Sequence, residues 1–202
     1  MKIIVIGATG TVGSAVVDEL RKDNQHDIFC VGFTRGDLQV DITRDESVQA
    51  MFAATGRVDA IVAATGDLFF GPLTSMTAKD FALGLESKLL GQVRLALIGQ
   101  HYLNDGGSIT LTSGIVGVEP IAQGANATTV NAALEGFVKA AACELPRGIR
   151  INVVSPTMLA ESAAGYGPFF PGFESVPAAR VALAYRRSIA GVQTGRTYAV
   201  GY

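Results

Sequence analysis

The opening stretch Lys2-Ile3-Ile4-Val5-Ile6-Gly7-Ala8-Thr9-Gly10-Thr11-Val12-Gly13 constrains the fold more than any other. After the lysine, the run Lys2–Ile6 is apolar at every position, so no wet face is marked. A strand of that kind is buried on both sides, as in a parallel sheet. Three glycines then fall three residues apart, and Thr11–Lys22 continues with helical periodicity. Glycines at such a turn let the backbone bend sharply and approach a neighbour closely, while the helix behind offers unpaired N–H groups.

The same alternation runs along the chain. Short runs rich in Val and Ile recur at Asp27–Val31, Asp59–Ala63, Ser108–Thr112, Arg150–Val154 and Thr197–Val200. Between them lie helical patterns at Asp45–Thr55, Thr77–Tyr102, Thr128–Glu144 and Pro177–Ile189. Thr43 with Glu46, and Thr77 with Asp80, read as capping boxes, and Pro146 with Gly148 reads as a helix stop. The pattern predicts an α/β fold: a doubly wound, mostly parallel sheet with helices on both faces. The long stretch 156–176 lacks periodicity, is rich in Gly, Pro and Phe, and follows the carboxyl end of a strand. Loops of that length in a compact domain are usually functional.

Length and charge narrow the function classes. At roughly 150 residues per domain, 202 residues argue for a single domain over 1–202. With 16 Lys+Arg against 18 Asp+Glu, the net charge of −2 leaves no basic footprint for nucleic acid. No apolar run is long enough for a membrane helix, and the apolar opening is too short for a signal-peptide core. Cys30 and Cys143 show neither metal nor redox spacing, so no metal site is expected and a reducing cytoplasm is the simplest location. The helical patterns 77–102 and 128–144 are apolar nearly all round. The sheet covers one side of each, and a second copy of the chain is expected to cover the other.

The glycine loop suits a pyrophosphate. Backbone at Gly7, Thr9, Gly10, Thr11, Val12 and Gly13 approaches it at the start of a helix whose N-terminus favours negative charge. After the second strand, Gly32-Phe33-Thr34-Arg35-Gly36 holds no acid to accept from an adenosine ribose and repel a 2′-phosphate. Thr34 and Arg35 suit that phosphate, so NADP(H) is expected over NAD(H). Asp41 and Ile42 follow a short third strand and suit the adenine edge, with a helix-capping role open for Asp41. Ala63-Ala64-Thr65-Gly66 places small residues where the cofactor crosses the sheet edge.

Together these residues resemble the short-chain dehydrogenase/reductase family, over essentially the whole chain. Gly7, Gly10 and Gly13 fit its nucleotide loop, and Ala63-Ala64-Thr65-Gly66 is similar to its Asn-Asn-Ala-Gly element. Gly107–Gly114 resembles its serine-bearing strand. The most specific match is Gly148-Ile149-Arg150-Ile151-Asn152-Val153-Val154-Ser155-Pro156. The resemblance implies a Rossmann sheet of about seven strands, with Pro156 and Leu159 against the nicotinamide. It also implies a homodimer or homotetramer packed through helices 77–102 and 128–144. Its catalytic Tyr-x-x-x-Lys pair aligns with Ala127 and Asn131, its Asn with Lys88, and its serine with Gly114, one residue beyond Ser113.

Alanine cannot serve as a proton donor. Lys88, whose pKa would fall in an apolar cleft, Ser113 at a strand end, and Tyr166 in the long loop are the replacement candidates. Each has an ordinary structural role open beside it. Asn126 and Asn131 could orient a water, while His26 and His101 read as surface residues. Phe69, Phe70, Phe169, Phe170 and Phe173 make the cleft loops apolar and suggest a small apolar or aromatic substrate. The expected function is an NADP(H)-dependent oxidoreductase with a non-standard proton donor. A non-catalytic NADP(H)-binding sensor or scaffold is the alternative.

Overall fold

The computed structural model describes every residue from Met1 to Tyr202. Seven parallel strands form one sheet in the order β3-β2-β1-β4-β5-β6-β7. They are β1 (Lys2–Ile6), β2 (Asp27–Gly32), β3 (Leu38–Gln39), β4 (Val58–Ala63), β5 (Leu103–Thr112), β6 (Arg150–Pro156) and β7 (Thr197–Val200). The connections run outward from β1 in one direction and from β4 in the other. A crevice therefore opens at their carboxyl ends, where open α/β sheets bind ligands.

Alternate side chains along β1 explain the unbroken apolar run. Ile4 and Ile6 enter one core with α2 (Asp45–Thr55), α4 (Gly91–Gly99) and α5 (Ala125–Ala141). Ile3 and Val5 enter a second with α1 (Thr11–Arg21) and α7 (Ala178–Ala190). Every one of these four strand side chains is at most 1% exposed. Burying each such side chain contributes about 1.5–3 kcal/mol, so both layers are fixed against the sheet.

Several local expectations change. The 77–102 pattern is α3 (Ala78–Gly84), a wide π-helical turn at Leu85–Leu90, then α4, which ends at Gly99 rather than Tyr102. Thr77 and Asp80 do form a capping box. Thr43 does not cap α2: the N-cap is Arg44, and the Thr43 hydroxyl donates instead to Asp41 Oδ1 at 2.7 Å. A local side chain captured the hydroxyl before the helix could use it. The 128–144 helix starts three residues early, at Ala125. The 156–176 stretch contains three short helical turns between Ala160 and Phe169, including α6 (Ala163–Tyr166), and a bridge from Leu159 to Val176. His26 is not a surface residue, since its side chain is only 12% exposed beside Asp23.

Candidate active site

The site grows from the glycine turn between β1 and α1. Gly7 has φ +84° and a side chain there would overlap the Ala64 carbonyl. One on Gly13 would overlap the Gly7 carbonyl. Both positions are therefore closed to any other residue, whereas Gly10 faces no such overlap within the protein. The N–H groups of Gly7 and Ala8 donate to the Val31 carbonyl at 2.8 and 3.1 Å, which ties the turn to β2. Gly10 is the N-cap of α1, and no side chain caps that helix. Its first-turn N–H groups and the positive end of its dipole are left for an anion, the arrangement of a phosphate-binding turn.

Two clefts continue from this turn and meet at Gly66 and Asp67. The first is lined by Gly7, Gly32, Phe33, Asp41, Ile42 and Thr65, with the face of α3 opposite. Thr34 and Arg35 lie exposed beyond β2, and Arg35 makes no ion pair. The nearest acid in sequence, Asp37, accepts from the Cys30 N–H at 2.8 Å. Asp41 caps no helix. Its carboxylate accepts from the Thr43 hydroxyl and N–H, which holds its pKa below the usual range. Ala63 ends β4 and Ala64 follows it behind the turn, where neither lines a cleft; Ala64 N–H donates to the Ile6 carbonyl at 2.9 Å.

The second cleft encloses about 320 Å³. Its apolar wall includes Leu68, Phe70, Ile115, Met158, Leu159 and Phe170. Lys88, Ser113, Asn131, Pro156 and Tyr166 also line it, so five sequence-predicted residues from five segments converge here. Phe70 packs edge-on against Tyr166 at 5.6 Å and tilted against Phe169 at 5.9 Å, joining the two loops over the cleft. Phe170 and Phe173 pack against each other and against Ile115, Val116 and Ala127. Phe69 stands outside this wall, over Gly71.

Lys88 sits in the π-helical turn, a feature that recurs at functional sites because it breaks the regular helical register. Gly66, at φ +112°, makes room for it: a β-carbon on Gly66 would lie 2.5 Å from Lys88 Cα. Lys88 Nζ donates to the Ser113 carbonyl at 3.3 Å, and no carboxylate pairs with it. Burial without a counter-charge pulls its pKa from 10.5 to about 8. Asn131, on α5, faces the same strand end, with Nδ2 3.4 Å from where a β-carbon on Gly114 would stand.

Ser113 is held differently from expectation. Its hydroxyl donates to Glu135 Oε1 at 2.9 Å, and both side chains are buried. Glu135 was missed by sequence reasoning, although a carboxylate one helical turn after Asn131 on an apolar helix is a readable signal. Gln92, one turn after Lys88, was missed for the same reason. It clamps both backbone groups of Thr112, donating at 2.9 Å and accepting at 2.8 Å. Asn126 is buried and ties two loops together: it accepts from Phe69 N–H at 3.0 Å and donates to the Phe81 carbonyl at 2.7 Å. Tyr166 stands at the rim, 46% exposed.

A parallel seven-stranded sheet with a glycine turn at the β1–β4 crevice defines a Rossmann-type α/β protein. A family model described as enoyl-(acyl carrier protein) reductase matches residues 7–193, and the chain belongs to the short-chain dehydrogenase/reductase family. It is similar to the protein lin1944 from Listeria innocua, at 50% identity and a TM-score of 0.96 over 99% of both chains. It is also similar to a small-chain dehydrogenase solved in complex with NADPH, at 26% identity and a TM-score of 0.88, covering 99% of this chain and 96% of that one. The short-chain dehydrogenase/reductase ucsE of an Acremonium species is 34% identical over 103 residues, 50% of this chain. That match spans 39% of the relative's length. No helix of this chain is long and apolar enough to cross a membrane.

Proposed function

We propose that this chain is an NADP(H)-dependent oxidoreductase that reduces a small apolar or aromatic substrate, with Lys88 as the proton donor. The observation that carries this reading is a buried lysine with no carboxylate partner in the wall of an apolar cleft, beside a phosphate-binding turn. The first cleft fits a dinucleotide. Gly7, Thr9, Gly10, Thr11, Val12 and Gly13 would hold the pyrophosphate, Asp41 and Ile42 the adenine edge, and Ala63, Ala64, Thr65 and Gly66 the crossing. Thr34 and Arg35 would hold a 2′-phosphate, which supports NADP(H) over NAD(H), since the Asp37 carboxylate is engaged by the Cys30 N–H. Pro156 and Leu159 would face the nicotinamide.

When bound, a reduced nicotinamide supplies a hydride to an electrophilic carbon. As a carbonyl carbon accepts it, negative charge builds on the oxygen, and the Lys88 ammonium stabilises that charge and donates the proton. A pKa of about 8 lies near neutral pH, where an acid both gives up and regains its proton readily. Ser113 contributes by fixing the strand end through Glu135, and Tyr166 closes the rim.

The surface supports self-association. Leu83 on α3, Leu90 at the end of the π-helical turn and Leu97 on α4 are 44%, 49% and 54% exposed. On α5 the exposed Ala132, Gly136 and Ala140 offer a face without bulk, where a partner helix could lie close. The chain is read as a homodimer or homotetramer through these helices, located in the cytoplasm. Ala127 and Asn131 at the family's catalytic positions favour one second reading, a non-catalytic NADP(H)-binding sensor or scaffold.

A fluorescence titration with NADPH and NADH, followed by NADPH oxidation on a panel of apolar ketones, imines and activated alkenes, tests the proposal. Micromolar NADPH binding, weaker NADH binding, and turnover lost in Lys88→Ala are expected. Tight binding with no turnover leaves the sensor reading, and no binding of either nucleotide removes both.

A further inference from the structure

The two clefts share only Gly66 and Asp67 in their walls. Gly66 has no side chain, and the π-helical turn presses on it, with Lys88 Cα 2.5 Å from where a β-carbon would stand. Asp67 is therefore the one side chain common to both clefts, and it is exposed. Its backbone N–H donates to Ser87 Oγ at 2.9 Å, and the Ser87 hydroxyl reaches its Oδ2 at 3.4 Å. No cation pairs with the carboxylate, and Oδ1 accepts from no protein group. The wall of the first cleft carries Asp41, Asp67 and Glu86 and no lysine or arginine. Such a wall repels phosphate, which is left to the N-terminus of α1, and accepts from uncharged hydroxyls. Thr43 already engages Asp41, and Glu86 lines the first cleft alone.

We infer that Asp67 holds the ribose diol on the nicotinamide side of the dinucleotide, and so fixes how far the cofactor reaches into the second cleft. This rests on the NADP(H) reading above. With the pyrophosphate at the glycine turn and the nicotinamide against Pro156 and Leu159, the ribose between them passes Gly66 and Asp67. A carboxylate can accept from two neighbouring hydroxyls at once, and such charge-assisted bonds are the strong ones. The direction of the effect separates a contact from mere proximity. A carboxylate that touched no part of a polyanionic dinucleotide would only repel it, so its removal would tighten binding. One that holds the diol is missed when it is removed.

The test titrates the wild type and Asp67→Ala with three probes by calorimetry. They are NADPH, an NADPH analogue lacking the 2′-hydroxyl of the nicotinamide ribose, and adenosine 2′,5′-bisphosphate, which has no nicotinamide ribose. The reduced ring is uncharged, so no attraction between a pyridinium and the carboxylate enters. Asp67→Ala should weaken NADPH by about 10–100-fold and leave the bisphosphate within about 2-fold of the wild type. The deoxy analogue should bind the wild type about 10-fold more weakly than NADPH, whereas Asp67→Ala should bind the two alike. Unchanged or tighter NADPH binding by Asp67→Ala overturns the inference, as does a deoxy penalty that survives the substitution; both leave the oxidoreductase reading intact. Equal losses of NADPH and the bisphosphate would make Asp67 a structural support of the first cleft and also overturn the inference. A wild type that binds neither NADPH nor the bisphosphate removes that reading and the inference together.

Discussion

The two clefts that meet at Gly66 are built by different means. In the nucleotide cleft the decisive residues are glycines, and what fixes them is backbone sterics: Gly7 and Gly13 have no room for any side chain. In the second cleft the residues proposed to react are side chains, and what fixes them is the neighbours they touch. Lys88 stands in the π-helical turn between α3 and α4, and Asn131 on α5. A steric requirement admits one residue, whereas a chemical one can be met by a different group approaching from another element.

Gly13→Ala should break the nucleotide half outright. The new methyl collides with the Gly7 carbonyl, so NADPH affinity is expected to fall by at least ~100-fold in a fluorescence titration. If affinity holds, sterics does not fix that turn.

Lys88→Met should break the other half and leave the first alone. Turnover is expected to fall by about 10²–10³-fold with NADPH affinity unchanged. Stability should move the other way. Burial lowers the folded pKa of Lys88 from 10.5 to about 8, so between those values the unfolded chain binds more protons and wild-type stability rises with pH. At neutral pH the lysine costs about 3 kcal/mol, and chemical denaturation should show Lys88→Met to be more stable by up to that amount. The gain should shrink as pH rises from 8 towards 10.5. Wild-type reduction should slow as pH climbs through about 8, because the acid is lost.

Smaller changes sharpen the contrast. Arg35→Ser should weaken NADPH by about 10-fold while leaving NADH unchanged, which equal losses for both nucleotides would contradict. Ser113→Ala strips the buried Glu135 of its donor and should lower stability by about 1–3 kcal/mol, with only a few-fold change in kcat. A loss in kcat comparable with that of Lys88→Met would move the proton-donating role to the serine.

The sheet was legible because β1 and its neighbours are apolar on both faces, and only a doubly covered parallel strand needs that. The glycine turn was legible because its spacing reports backbone geometry directly. The π-helical turn was not, since the residues of 77–102 satisfy α-helical periodicity and the extra residue shows only once Gly66 is packed against Lys88. Glu135 was missed because its role is set by a partner 22 residues distant in sequence, Ser113. Tertiary hydrogen bonds of that kind leave no periodic trace.

The central claim is that Lys88 stands buried in the reacting cleft as its acid. Following the Lys88 side-chain carbon signals by NMR in isotopically labelled protein, across a pH series with NADP⁺ bound, tests it without knowledge of the substrate. The account predicts a midpoint near 8, while a midpoint at the ordinary 10.5 would place the amine in water and contradict it.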